Sequence, residues 1–385
     1  MQFFSLIMAS ILWANVRWDH MGGHSGLAPF SNAVAACWGE GFQRVAISHN
    51  IAPKTPTVFA RLVRKLRPLP APAQTKPAWE QNRDLGSPFY GERGWGLEQA
   101  ISRQVAQTAP AFVMLECIED QFFGLAEERK KWTQTKLVGM THQPPAWWRL
   151  HHRRPEIVQS LDLLLVLASG VKSFWSQYLP PEKIAFLPHG VDTAFFTPLN
   201  PGAEESESNQ PLRVVFSGQW LRDFETLAAV IKQADQQALN MTFDLIVPRH
   251  VRNTPACYQM AMSPRVRWQA NLSDEELRQA YQQADVLLLP LTDATANNGL
   301  LEGMACGLPV IVTDVGGVRD YANEQFADFV RPGDVVEIIK LLKKSPLDKA
   351  GMSRRGTLAR DHVEANFSWD MVAKTFVSIL NDLSD

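Results

Sequence analysis

The chain has 385 residues, 45% of them hydrophobic and 20% charged, with a formal net charge of −2. That length exceeds what one hydrophobic core serves, so two domains are expected. The near-neutral balance excludes the basic excess of a nucleic-acid-binding protein. Cys37, Cys117, Cys257 and Cys306 lie far apart with no CxxC pair, which argues against structural zinc and a disulfide framework and for a reducing cytoplasm.

The opening MQFFSLIMASILWANV lacks a basic leader region, and its apolar run is short for a membrane span. It reads as a buried first strand over 10–16. Further strand-length apolar runs follow at RVAISH (44–49), AFVMLEC (111–117), KLVGMT (136–141), DLLLVLAS (162–169) and KIAFLP (183–188). Helical patterns at 31–40, 56–67, 95–108 and 170–179 lie between several of them. After residue 211 a second series runs LRVVFS, TFDLIV, RVRW, ADVLLLP, PVIVT and FADFV, with helical patterns at 224–238, 273–283, 299–306 and 334–344. Continuous apolar strands interleaved with helices predict parallel sheets covered on both faces. Two such series predict an α/β protein of two doubly wound, Rossmann-like domains, with ligands beyond the carboxyl ends of the strands. The polar, proline-bounded stretch NPGAEESESNQP (200–211) is the expected join.

Within NNGLLEGMACGLPVIVTDVGG (297–317) a single carboxylate, Glu302, interrupts small and apolar residues. A helix is expected from Asn298–Gly299 to Gly307, stopped by glycine and then Pro309. Its buried stripe is Leu300, Leu301, Met304 and Ala305, and Glu302 falls off that stripe within the first turn. The helix start suits an anion such as phosphate, and Glu302 could accept hydrogen bonds from hydroxyls of a sugar attached to it. An acidic first-turn residue with no ligand is the plain alternative.

This segment resembles the donor-binding motif of the retaining GT-B glycosyltransferases, glycosyltransferase family 4, also called glycosyl transferases group 1. The resemblance spans nearly the whole chain through MGGHSG (21–26), MTHQPP (140–145), PHGVD (188–192), LSDEELRQAYQQADVLLLP, RPGD and the closing FSWDMVAKTFVSIL (367–380). It implies a GT-B fold: an acceptor-binding domain over 1–199, a linker over 200–211, a nucleotide-sugar-binding domain over 212–366, and a helix over 367–385 crossing back to the first domain. It further implies transfer of a sugar from a nucleotide-diphosphate-sugar to a hydroxyl of a glycan, lipid or small molecule. The donor is a co-substrate. No resident cofactor or metal is implied, and the sequence holds no D-x-D. Cations and backbone dipoles must then meet the charge of the leaving diphosphate.

Carried over residue by residue, Glu302 takes the ribose, and the amides of Asn297, Asn298, Gly299, Leu300 and Leu301 lie at the diphosphate. The first glutamate of the family motif falls at Ala294, a departure for which Asp293, Asn297 or Asn298 could substitute. Gly218 matches the family's glycine before its cationic pair, but the arginine position is Gln219, and Arg222 is the cation nearby. It is assigned to the pyrophosphate, against the alternative of a surface arginine paired with Asp223 or Glu225. His142 matches a histidine near the donor sugar, where it contacts a hydroxyl or orients the acceptor. Gly22, Gly23 and Gly26 allow close backbone approach, with His24 and Ser25 toward the acceptor. His20 and His24 stand four residues apart, but no third ligand makes them a metal site. Trp268 and Leu272 fall at the base pocket, and Trp268 reads equally well as core.

Two stretches suggest peripheral membrane contact. PTVFARLVRKLRPLP (56–70) is a basic amphipathic helix pattern, and PPAWWRLHHRRP (144–155) combines two tryptophans with basic residues. For the first, a helix packed on its own domain is the alternative. Two other functional readings stay open: an inactive nucleotide-sugar-binding module, which Ala294 and Gln219 would suit, and a GT-B epimerase or hydrolase.

Overall fold

The structure, a computed structural model, describes residues 9–18, 23–24, 26–49, 78–199 and 210–384. The first sheet contains β1 Ile11–Trp18, β2 Phe42–His49, β3 Phe112–Leu115, β4 Lys136–Thr141, β5 Leu163–Val166 and β6 Ile184–Phe186, in the order β2-β1-β3-β4-β5-β6. The second contains β7 Leu212–Ser217, β8 Met241–Ile246, β9 Val266–Gln269, β10 Val286–Leu289, β11 Val310–Thr313 and β12 Ala327–Val330, in the order β12-β11-β10-β7-β8-β9. Every strand pair is parallel. All residues of FVML, LLLV, VLLL and VIVT are buried, because helices cover both faces. Each strand lies on an apolar run expected from the sequence.

Most expected helices are present, among them Glu92–Thr108, Phe224–Gln236, Asp274–Gln282, Asn298–Ala305 and Val335–Lys344. The helix expected over 170–179 shrinks to Lys172–Trp175, ahead of Pro180 and Pro181, which cannot continue it. The helix Lys349–Phe367 was not expected, since its buried residues include Gly351, Gly356 and Ala359 rather than a stripe of large apolar side chains. A Cβ on Gly356 would stand 2.0 Å from the Gly307 carbonyl oxygen, so this helix packs closely by being small. The pattern at 56–67 lies outside the described residues.

Val191 and Phe196 are buried in the core of the second sheet, so the crossing falls at 188–192, upstream of 200–211. The reason is local: Val191 N–H donates to Phe367 O at 2.8 Å, and Gly190 leaves the space that the Trp369 indole fills. The final helix, Trp369–Ser384, packs into the first domain. Trp369, Val372, Ala373, Phe376 and Leu380 share one core with Trp13, Phe30 and Val138.

Candidate active site

In each sheet the strand order reverses beside the first strand, between β1 and β3 and between β7 and β10. Loops diverge at such points and leave a crevice. The second domain brings two loops together there: 218–223 after β7, and 290–297 after β10, which leads into helix Asn298–Ala305. Asp223 N–H to Pro290 O at 2.9 Å and Thr292 N–H to Leu221 O at 3.0 Å tie them, with an isolated bridge between Arg222 and Leu291.

Arg222 occupies the join. Its Nε donates to Ser217 O at 2.8 Å, Nη1 to Trp220 O at 2.9 Å and Nη2 to Asn297 Oδ1 at 3.1 Å. No carboxylate pairs with it among the described residues, so the alternative of a surface arginine on Asp223 or Glu225 is set aside. Asp223 caps the next helix instead, accepting from Thr226 N–H. Burial draws the guanidinium down to about 10, while Tyr281 and Glu302 pull it back up. Two glycines make room for it. A Cβ at Gly218 (φ +94°) would stand 2.6 Å from Arg222 Nη2, and one at Gly299 would stand 2.4 Å from Ser217 Oγ.

Glu302 is 5% exposed. Its Oε2 accepts from the Tyr281 hydroxyl at 3.0 Å, and that hydroxyl meets Ser217 Oγ at 2.7 Å. Burial, and then the Glu302 carboxylate, push the Tyr281 phenol well above its ordinary range. Neither Ser217 nor Tyr281 stood out in the sequence, since Tyr281 reads as one more apolar-face residue of an amphipathic helix. Asn297 is the N-cap of helix Asn298–Ala305, its Oδ1 accepting from Leu300 N–H at 3.1 Å, and Leu301 N–H donates to Asn297 O. Leu300 and Leu301 are therefore removed as amide donors to a ligand, leaving Asn298 and Gly299. Asn298 and Glu302 line a narrow crevice with His24, Gly26, His189 and Gly190.

Ala294 is buried, and Asp293 Oδ1 accepts from its N–H at 2.8 Å. Gln219 is exposed. Trp268 is placed as core: it packs half-buried against the second core, under the Arg252 guanidinium 4.8 Å from its ring centroid. Leu272 is half-buried ahead of the Ser273 cap.

In the first domain, Glu119 shapes the loop after β4. Its Oε1 accepts from Thr141 Oγ1 at 2.8 Å, His142 N–H at 2.6 Å and Gln143 N–H at 2.8 Å. His142 Nε2 lies 2.7 Å from Glu116 O. A carbonyl only accepts, so Nε2 carries a proton, and Nδ1 is the ring nitrogen that faces other partners. Thr295 Oγ1 donates to His142 O at 2.5 Å from the second domain, so His142 stands where the domains meet.

His24 is held by three contacts. It is stacked on Phe195 at 3.8 Å, its Nδ1 lies 2.7 Å from Asp192 Oδ2, and its N–H donates to Asp274 Oδ2 at 2.9 Å. Among the described residues nothing stands within 4 Å of the Cβ position of Gly23, and Gly26 has φ +75°. Ser25, His20 and Gly22 lie outside the described residues, as does the stretch 56–70. In 144–155 the two tryptophans are buried, Trp148 donating to Thr141 Oγ1 at 3.0 Å, so they are not interfacial anchors. Leu150 is exposed there instead.

Known proteins resemble the chain in sequence and in fold. Residues 211–344 match the family model of glycosyl transferases group 1. The chain is 24% identical over 279 residues to a GDP-mannose-dependent monoacylated alpha-(1-6)-phosphatidylinositol monomannoside mannosyltransferase of Corynebacterium glutamicum, covering 66% of this chain and 72% of that one. It is 22% identical over 238 residues to an MMP alpha-(1->4)-mannosyltransferase of Mycolicibacterium hassiacum, covering 60% of this chain and 57% of the relative. Sucrose-phosphate synthase from Thermosynechococcus elongatus superposes with a TM-score of 0.72 at 16% identity, covering 97% of this chain and 99% of that one. Anabaena Alr3699/HepE, solved in complex with UDP and glucose, gives 0.67 at 11%, covering 97% and 100%. The match to the group 1 family model is carried by the second domain, and the two parallel sheets give the chain the GT-B fold of these structures.

Proposed function

We propose that the protein is a retaining, metal-independent glycosyltransferase that moves a sugar from a nucleotide-diphosphate-sugar to a hydroxyl of a glycan, lipid or small-molecule acceptor. One observation carries the reading: a guanidinium that pairs with no carboxylate among the described residues, held at the start of helix Asn298–Ala305 beside buried Glu302. Of the five N–H groups of Arg222, the bonds to Ser217, Trp220 and Asn297 use three and leave two for an anion. With the Asn298 and Gly299 amides these meet the charge that develops on the departing diphosphate. Glu302 takes the ribose hydroxyls, and His142 Nδ1 accepts from a sugar or acceptor hydroxyl. Meeting of the domains excludes water and suppresses donor hydrolysis. The names of the mannosyltransferase and the UDP–glucose complex support activated hexoses as donors.

The test measures nucleoside diphosphate released from GDP-mannose and UDP-glucose, with and without lipid extract. Acceptor-dependent release that survives EDTA, giving a product with the donor's anomeric configuration, is expected. Nucleotide binding without turnover would favour an inactive module, for which buried Ala294 is the specific observation. Donor conversion without acceptor would favour an epimerase or hydrolase.

A cytoplasmic enzyme in peripheral contact with the membrane is part of the proposal. The described cysteines are all free thiols, and no helix among the described residues is long and apolar enough to cross a membrane. Leu85 is 55% exposed, Phe89 51% and Leu150 77%. Phe89 rests on Trp147 and His151, and Arg153 N–H donates to Gly86 O next to Leu85. Arg153 Nη1 also donates to Asp84 O, and Arg149 and Arg154 are its neighbours in the chain, a combination suited to anionic lipid.

A further inference from the structure

The Trp220 side chain has no role in the reading above, yet it reaches from the loop that carries Arg222 to the loop that carries His142. It is 50% exposed, and its indole Nε1–H donates to Gln143 Oε1 at 2.8 Å, from the second domain to the first. Its own carbonyl accepts from Arg222 Nη1 at 2.9 Å. The next residue, Leu221, has φ +57°, a conformation rare outside glycine and kept where surroundings impose it. Leu221 O is tied to Thr292 N–H, so the turn is held from both sides while it presents an indole to the cleft. Gln143 is fixed as well, its N–H bonded to buried Glu119.

These contacts border the two departures from the family pattern. Gln219 precedes Trp220, and Ala294 precedes Thr295, whose hydroxyl reaches His142 O. At both places neutral groups replace charged ones, and the neighbouring side chain crosses to the 142–143 loop. A sugar joined to a diphosphate on Arg222 and directed toward His142 must pass beside the indole. Sugar rings carry a C–H-rich face, and the negative face of an indole attracts such positive edges.

We propose that Trp220 is a binding residue for the sugar ring of the donor, its indole held by Gln143 as the wall against which that ring packs. This rests on the glycosyltransferase reading. Calorimetry with UDP, GDP, UDP-glucose and GDP-mannose tests it. Trp220→Ala is expected to keep the affinity for the free nucleotide within about twofold while weakening the matching nucleotide-sugar by about tenfold. Trp220→Phe keeps an aromatic face without the N–H, and Gln143→Ala removes only the pin. Each is expected to show the same selective loss at roughly twofold to threefold. A Trp220→Ala protein that loses nucleotide and nucleotide-sugar equally, or neither, overturns the proposal. So does a Gln143→Ala protein indistinguishable from wild type, as regards the pin. Wild-type protein that binds no nucleotide removes the functional reading and this inference with it.

Discussion

Arg222 and Glu302 lie close enough to influence one another's charge but are not ion-paired among the described contacts. Three backbone and amide oxygens hold the guanidinium, and a phenol donates to the carboxylate. The guanidinium keeps N–H groups that a direct salt bridge would consume. Arg222→Lys retains the charge but loses the planar fork, so nucleotide affinity is expected to fall by roughly tenfold to a hundredfold in calorimetry. Tyr281→Phe removes one hydroxyl from both Ser217 and Glu302 in a buried setting. A stability loss of about 1–3 kcal/mol is expected in urea titration, and full stability would refute this account of the network.

Among the elements, helix Asn298–Ala305 owes its position to an absent side chain. Gly→Ala within a helix ordinarily stabilises by about 1 kcal/mol, but at Gly299 the added Cβ would stand 2.4 Å from Ser217 Oγ. Gly299→Ala is therefore expected to lower both the melting temperature and nucleotide affinity, whereas Gly23→Ala, with nothing within 4 Å, leaves the melting temperature unchanged. The 188–192 crossing holds a second test. Burial, reinforced by His142, draws the His189 imidazole from 6.5 down to about 4. Below pH 6.5 the unfolded chain binds the extra proton, so this contribution is present above pH 6.5 and is lost as pH falls toward 4. The loss amounts to at most roughly 3 kcal/mol. Thermal melts of His189→Asn are expected to show a shallower decline across that window. An unchanged slope would assign the acid sensitivity elsewhere.

At the scale of the whole molecule, helix Trp369–Ser384 completes a domain that begins more than three hundred residues earlier in the chain. Truncation after Phe367 would expose Trp13 and Phe30 and is expected to leave aggregation-prone protein. Trp369→Ala should cost about 3–5 kcal/mol. The exposed Leu85, Phe89 and Leu150 group predicts co-sedimentation with phosphatidylglycerol vesicles. Leu150→Asp combined with Arg153→Glu is expected to abolish it, and unchanged binding would end the membrane reading for this face.

The sequence alone determined the two parallel sheets, because buried strands such as LLLV and VLLL declare themselves by unbroken apolarity. It also marked the start of helix Asn298–Ala305 near Asn298–Gly299 and its stop at Gly307, since helix ends are local chemistry. Which polar atoms meet was decided only by the tertiary structure. The Tyr281–Glu302 bond, the capture of His24 by Asp192 and Phe195, the burial of Trp147 and Trp148, and the crossing at Val191 join residues distant in the chain. Periodicity reports the face on which a side chain lies, but not the partner that waits there.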